Sequence, residues 1–535
     1  MIWHLAKKEF LNNMVSARFV IGFVLCLVLI PFSILINIDD YRERDRLYQM
    51  DRDAAEKNMK QVRVYSGLRP EIVMPPEPLS IFSKGISAQV GNRVKIWLGE
   101  KLFLAEGRTT VRDNPFLDTF SSVDFVDIAA IIFSLLALLF SYDAFTKEKE
   151  SGTLALQMSN SVGRSRLLAG KVLGILLTLL PVLLFSFLLA ALIVLLSHGI
   201  SFSGHEWTRI ALVFAASLVY LSVFVFAGLL ASAQSRTSVT SLVVCLFVWV
   251  FFVLGIPQVA GYAAESFVRA GSRDNLTLVL TDLDKSRNDE IEARRKSLPS
   301  PDWDMNWYQN GGRDGYQENY GNSKSMFERG RQLAMFSEPL RIDYADRKWL
   351  AQKTYLDSLD RQARSAETIS MVSPAGIFRL VASALCATDR RAHEADMDRT
   401  REYRETFIRF LREKDIFYSF RWTTPTAPET FRTADELVSL RTGGRFKTLA
   451  ELDSWWSDRK DFLAGWEALK KVKVPGDTPD EYPYLDISDM PRFPHPPRSL
   501  EMGLEGSIAG VGILLVETVF LFYLGFIAFI RYDVR

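Results

Sequence analysis

Cysteine is almost missing from this 535-residue chain, and its three copies exclude a disulfide framework: Cys26 and Cys245 lie inside apolar runs and Cys386 in a mostly polar region. Net charge is missing as well. Lysine plus arginine (64) and aspartate plus glutamate (63) leave a formal +1, so bulk charge attracts no nucleic acid and only the local placement of basic residues is informative. Histidine is scarce: the five, His4, His198, His205, His393 and His495, form no H-E-x-x-H or comparable metal pattern. His198 and His205 share one short loop and read as solvated residues. No G-x-S-x-G nucleophile elbow occurs, which leaves a hydrolase without support. A phosphate loop is absent too. Gly443-Gly444-Arg445-Phe446-Lys447-Thr448 has the wrong spacing, and Gly170-Lys171 lacks both the earlier glycine and a following Ser or Thr. Nucleotide chemistry must therefore come from another chain, and this one is expected to be non-catalytic, with no metal or cofactor of its own.

What the chain does have is apolar sequence gathered into blocks. A run of about 20 apolar residues without a polar stripe matches the hydrocarbon thickness of a bilayer, whereas a soluble core helix keeps such a stripe. Six blocks qualify, at 18–38, 124–142, 172–197, 209–232, 238–260 and 506–530. The first is too long for a signal-peptide core and is followed by no small-residue cleavage site. Before it, residues 1–17 place Trp3, Ala6, Phe10 and Met14 on one helical face, with Lys8 and Asn12 opposite, as in a helix lying in the interface. Between the blocks lie a polar insertion, 39–123, with turn signals at Pro70, Pro75, Pro76 and Pro78, and a large polar region, 261–505. In that region 342–369 and 388–414 read as helices, no sustained alternation argues for a sheet, and 474–497 is a proline-rich tether. Trp303, Trp307, Tyr308, Tyr316 and Tyr320 read as core or interface packing. The expected fold is an all-α membrane protein of six transmembrane helices with a large, mainly helical extracytoplasmic domain.

Orientation follows from the basic residues, which are retained on the cytoplasmic side. Lys7, Lys8, Arg18, Lys147, Lys149, Arg164, Arg166, Lys171, Arg236, Arg531 and Arg535 fall on one side when six spans are threaded in order. Only Arg209, at the mouth of the fourth span, runs against this pattern. Both termini and the tail 531–535 are thus expected in the cytoplasm of a bacterium, with 39–123 and 261–505 across its inner membrane.

The loop 143–171, DAFTKEKESGTLALQMSNSVGRSRLLAGK, reads as a prolonged second span, a turn at Gly152, a short helix and a second turn into the third span. A rigid projection of this kind transmits a push to both spans that it joins; composition alone favours an ordinary solvated loop. The run E-K-E-S-G-T-L, with N-S-V-G-R-S-R and G-K after it, resembles the coupling loop of type 2 ABC-transporter permeases. Lys7-Lys8-Glu9-Phe10 is similar to that family's N-terminal interfacial helix. Ser373-Pro374-Ala375 and the R-Y-D-V-R tail resemble a subgroup with a large external insertion between helices five and six. Ser161 and Gly163 stand where the family often has proline.

The resemblance implies a permease subunit of an ATP-driven exporter, working with a separate ABC ATPase that carries the ATP and Mg, and with a second permease copy or a related permease. It implies that Asp143, Glu148, Glu150, Gly152, Thr153, Leu154, Arg164, Gly170 and Lys171 form the ATPase-coupling site. Glu517, an acid inside the sixth span where insertion costs roughly 2–4 kcal/mol, must face protein or water and is a candidate for the translocation path. Pro181 and Pro257 suggest kinks in the third and fifth spans. Two other readings use the same parts: an ATPase-driven mechanotransmitter in which nothing crosses, and a non-transporting scaffold acting through its external domain, with periplasmic or membrane partners.

Overall fold

The computed structural model describes residues 2–86, 92–98, 124–154, 163–269, 271–301, 307–311, 316–320, 323–425, 427–455, 483–496 and 498–531. The middle of the loop motif, 155–162 with Asn160 and Ser161, Trp303, most of the tether, the tail beyond Arg531 and the side chains of Trp307, Tyr308, Tyr316 and Tyr320 lie outside this description.

Among the described residues, six helices are long and apolar enough to cross a bilayer, with mean hydropathies of 2.2 to 3.0 in their most apolar stretches. Hydrocarbon offers no partner to a backbone N–H or C=O, so helices, which satisfy these groups internally, are what such blocks form. Helix α1 (Ile2–Met14) precedes α2 (Ala17–Lys60), whose N-cap Ser16 accepts from the Phe19 amide. The second span, α3, starts at Phe125–Ile128, passes through a π turn at Ala129–Phe133 and ends with Ser134–Ser141. A short helix α4 (Thr146–Glu150) follows, then α5 (Arg164–Leu196), α6 (Gly204–Gln234) and α7 (Ser238–Phe267), which has its own π turn at Val250–Gly255. That turn sits just before Pro257 and absorbs the hydrogen bond that a proline cannot donate; Pro181 lies within a continuous α5. The far region holds α8 (Arg273–Ser297), a hairpin of Trp307–Gly311 with Tyr316–Tyr320, α9 (Lys324–Ser370), α10 (Pro374–Leu385), α11 (Arg390–Glu413), α12 (Ala434–Arg441) and α13 (Leu449–Trp455). The sixth span is α14 (Leu500–Ile530). The bundle thus has a loop end, where α4 lies, and a domain end.

Three features depart from the layout read in the sequence. Helix α2 does not stop near residue 38 but continues to Lys60, because the charged stretch after Ile38 contains no Gly or Pro and is stitched by pairs such as Arg46–Glu43 and Lys60–Glu56. At 1.5 Å per residue it projects roughly 30 Å beyond its apolar part. Second, the insertion and the later region are one domain. Val62, Leu68, Ile72, Ile96 and Leu98 share an apolar core with Ile342, Phe407, Leu411 and Trp422, and a two-stranded ladder pairs Glu71–Val73 with Arg93–Lys95. Arg404, 4% exposed in its side chain, donates to the Leu98 carbonyl and pairs with Asp346, locking the two parts together.

Third, 261–505 is not wholly outside the bundle. Helix α10 packs on α6 and α14 and belongs to the core of the spans, with Phe378 stacked on Tyr220 at 4.7 Å. The chain enters on α9, turns at Met371–Ser373, where the Ser373 hydroxyl donates to the Phe252 carbonyl in the π turn of α7, and leaves on α10. Arg379, the one charged residue of α10, is paired with Asp127 at 2.9 Å. This re-entrant hairpin is tight: a Cβ on Gly376 would come within 2.2 Å of the Ser370 carbonyl oxygen, whereas one on Gly512 would meet nothing within 4 Å. Gly376→Ala is therefore expected to destabilise the protein by about 1–3 kcal/mol and lower its thermal midpoint in detergent, with Gly512→Ala as the silent control.

Candidate functional site

At the loop end the chain leaves α3 at Ser141, turns through Tyr142–Phe145 and forms the single-turn helix α4 before Gly152, whose φ of +68° a side chain would strain. Nearly every polar group of this segment is bound to a different span. Arg18 at the start of α2 holds Asp143 at 2.8 Å, donates to the Leu139 carbonyl and lies over the Tyr142 ring. Ser232, near the end of α6, accepts from the amides of Phe145 and Thr146 at 2.9 and 3.2 Å. Lys149 donates to the carbonyls of Ser232, Ala233 and Ser235, which end α6 without intrahelical partners and carry the negative end of its dipole. Glu150 does the reverse for α7, accepting from the Ser238 amide at 2.7 Å and its hydroxyl at 2.9 Å. Phe145 stacks on Phe529 of α14 at 4.3 Å, and Arg164 donates to the Ile530 carbonyl.

Lys171 is the centre of this arrangement. Its side chain is 5% exposed; Nζ donates to the Ala144 carbonyl at 2.6 Å and lies 2.9 Å from Glu148 and 3.8 Å from Glu9 of α1. Gly170 explains how α1 gets there, since a Cβ at that position would sit 2.6 Å from Leu5 Cβ. The Gly-Lys pair is thus a close helix crossing followed by a buried cation that the crossing encloses. Burial pushes the Glu9 carboxyl above its usual range, Lys171 pulls it back, and Glu148 and Asp143 push it further up.

Of the nine loop residues singled out in the sequence, Asp143, Glu148, Glu150, Arg164, Gly170 and Lys171 are used up in contacts within this chain, and Leu154 is buried at 2% exposure. Glu148 points inward, which leaves it to shape a partner's contact rather than make it, whereas Glu150 is bound to Ser238 yet exposed. Gly152 and Thr153 are exposed, beside Lys147 and Ser151. Glu9, Arg18, Lys149, Ser232 and Ser238 were missed as site residues; Glu9 stood in the quoted K-K-E-F run and Lys149 in E-K-E, but the partners of both are remote in sequence. Glu517 is not part of this cluster. It is half-buried on α14, roughly 20 Å along the helix from Ile530, with one carboxyl oxygen buried and unpartnered among the described residues.

Removing one partner of a buried pair strands the other charges, at about 3–5 kcal/mol. Lys171→Met is expected to lower the thermal midpoint markedly, and adding Glu148→Gln to restore part of the loss; a midpoint equal to wild type for Lys171→Met contradicts the assignment.

Two comparisons bear on this site. Residues 3–299, which include α1, five of the spans and the whole loop, match the family model described as ABC-2 family transporter protein. The probable ABC transporter permease protein NosY of Stutzerimonas stutzeri is 34% identical over 128 residues, 24% of this chain and 46% of that protein, so the match spans about half the relative's length. With more than half of its length matched, together with the six spans and the clamped loop, this chain belongs to the ABC-2 family of transporter proteins and is a multi-pass ABC transporter permease subunit.

Proposed function

We propose that a separate ABC ATPase docks on the exposed tip Lys147–Thr153 at the cytoplasmic face of a bacterial inner membrane, and that its ATP-driven movement is passed to the spans to export or extract a substrate. The observation that carries this reading is the joining of α4 by polar contacts to α5, α6 and α7 and, through Asp143 just before it and Arg18, to α2. A displacement of the tip is passed on because α4 is tied to several helices at once and its central pair, Lys171 with Glu148, is enclosed by packed neighbours that switch rather than deform. The six residues bound to other parts of the chain set the stiffness of the lever; Gly152 and Thr153 supply its contact surface. In this reading the chain works as a pair with a second copy or a related permease, ATP and Mg stay on the ATPase, and Glu517 lines the path between the spans.

A mechanical variant has its own support. Helix α2, with Pro31 inside it, is assigned as one continuous helix from Arg18 in the loop-end network to Met59 in the core of the domain, and so links a stroke at one end to the other. In that version the moving domain is the output and nothing crosses.

Co-purification separates surface from scaffold. Thr153→Arg is expected to lower recovery of the ATPase at least roughly tenfold, the effect of about 1.4 kcal/mol at an interface, with an unchanged thermal midpoint. Glu148→Ala with Glu150→Ala is expected to lose ATPase and stability together. If tagged protein never brings down an ATPase, the non-transporting scaffold replaces this reading.

A further inference from the structure

Helix α1 does more than meet α5 at Gly170; it runs on beside it. The Ile2 carbonyl and Leu5 lie against Gly170, the Ala6 carbonyl and Glu9 against Gly174, and the Asn13 amide donates to the Thr178 hydroxyl at 3.5 Å. Between Gly170 and Thr178 α1 thus climbs about 12 Å along α5, from the turn that carries Arg164 and Arg166 into the apolar run that begins near Val172. The side turned away from α5 changes character on the way. Trp3, His4, Lys7 and Lys8 are exposed on its first two turns, and Leu11 and Val15 follow on the last. Val15 is 85% exposed, which water penalises and acyl chains do not.

The cations of this face are free. Lys7 and Lys8 have no ion-pair partner among the described residues, and neither has Arg166, exposed one turn before Gly170 on the same face of α5 and so just beyond the start of α1. The nearby carboxylates are committed elsewhere, since Glu9 and Glu148 both turn to Lys171. After Val15 the next exposed residues of the chain are apolar again: Val20, Ile21, Val24, Leu25 and Val28, with Leu29, line a groove of about 410 Å³ on α2. A soluble anion has no use for the groove, and a neutral lipid has none for the cations.

We propose that Lys7, Lys8 and Arg166 bind the negative headgroup of an anionic phospholipid, whose acyl chains cover Leu11 and Val15 and the groove of α2. It stands whether or not an ATPase docks on the loop. The helix sets the depth of each part: the lysines are level with the end of the basic turn of α5 and carry their ammonium groups outward on apolar stems, whereas Leu11 and Val15 are level with its apolar run. Trp3 beside them is an aromatic of the kind that settles at headgroup level. The attraction is electrostatic, so it depends on lipid charge and weakens with salt.

The test is native mass spectrometry of the full chain in a neutral detergent, titrated with phosphatidylglycerol or with phosphatidylcholine of the same acyl chains. Wild type is expected to bind phosphatidylglycerol roughly tenfold more tightly or better. Lys7→Gln with Lys8→Gln is expected to cut this preference at least about fivefold, and Lys7→Arg with Lys8→Arg to keep it. Lys285→Gln with Lys353→Gln, the same charge change on exposed lysines of the domain, is expected to keep it too. The inference is overturned if wild type shows no preference, if Lys7→Gln with Lys8→Gln leaves the preference unchanged, or if the domain pair lowers it as much. Should that variant fail to fold, wild type alone decides, because a preference that survives in about 1 M ammonium acetate is not one of charge and overturns the inference equally.

Discussion

A buried ammonium group needs partners, and in this protein the need of Lys171 organises the loop end. Its ion pair with Glu148, its bond to the Ala144 carbonyl and its approach to Glu9 fix α4 against α5 and draw α1 across Gly170. Around it the neighbouring charges close the ends of other helices: Lys149 on the carboxyl end of α6 and Glu150 on the amino end of α7 each place a charge where the helix dipole favours it. In water such contacts are worth tenths of a kcal/mol. At the buried pair of Lys171 with Glu148, by contrast, the bundle excludes the water that would otherwise supply those hydrogen bonds.

The same logic recurs at the opposite end with weaker terms. Arg209 satisfies carbonyls at the start of α14 as Lys149 does at the end of α6, but its carboxylate neighbour Glu77 sits beyond hydrogen-bonding distance. One end of the bundle is therefore locked by short, complete contacts and the other by an incomplete one. The rod of α2 and the hairpin α9–α10 lie between them, the latter anchored by one hydroxyl on the carbonyl of a π turn.

Much of this was legible in the residues. The six spans follow from blocks of apolar sequence with no stripe, and the resemblance carried by E-K-E-S-G-T-L and G-K leads to the family that the 3–299 match shows. The direction in which Glu148 and Glu150 point was not legible, because their partners Lys171 and Ser238 lie 23 and 88 residues away in sequence and no local rule links them. Nor was the union of 62–98 with 403–422, which depends on contacts across more than 300 residues such as Arg404 to Leu98. Helix α10 escaped notice as a bundle element because twelve residues containing Arg379 are too short and too charged for a span; a hairpin that enters and leaves on one side needs only half the thickness.

The central claim is that α4 is part of the bundle rather than a solvated loop. The most direct measurement is native-state hydrogen exchange at the amides of Phe145, Thr146 and Lys149 in nanodiscs at one pH. The account predicts protection comparable to the flanking spans, since the first two amides are bound to Ser232 and the third is held in the helix that Lys171 anchors. Exchange at the rate of an unstructured peptide would contradict it.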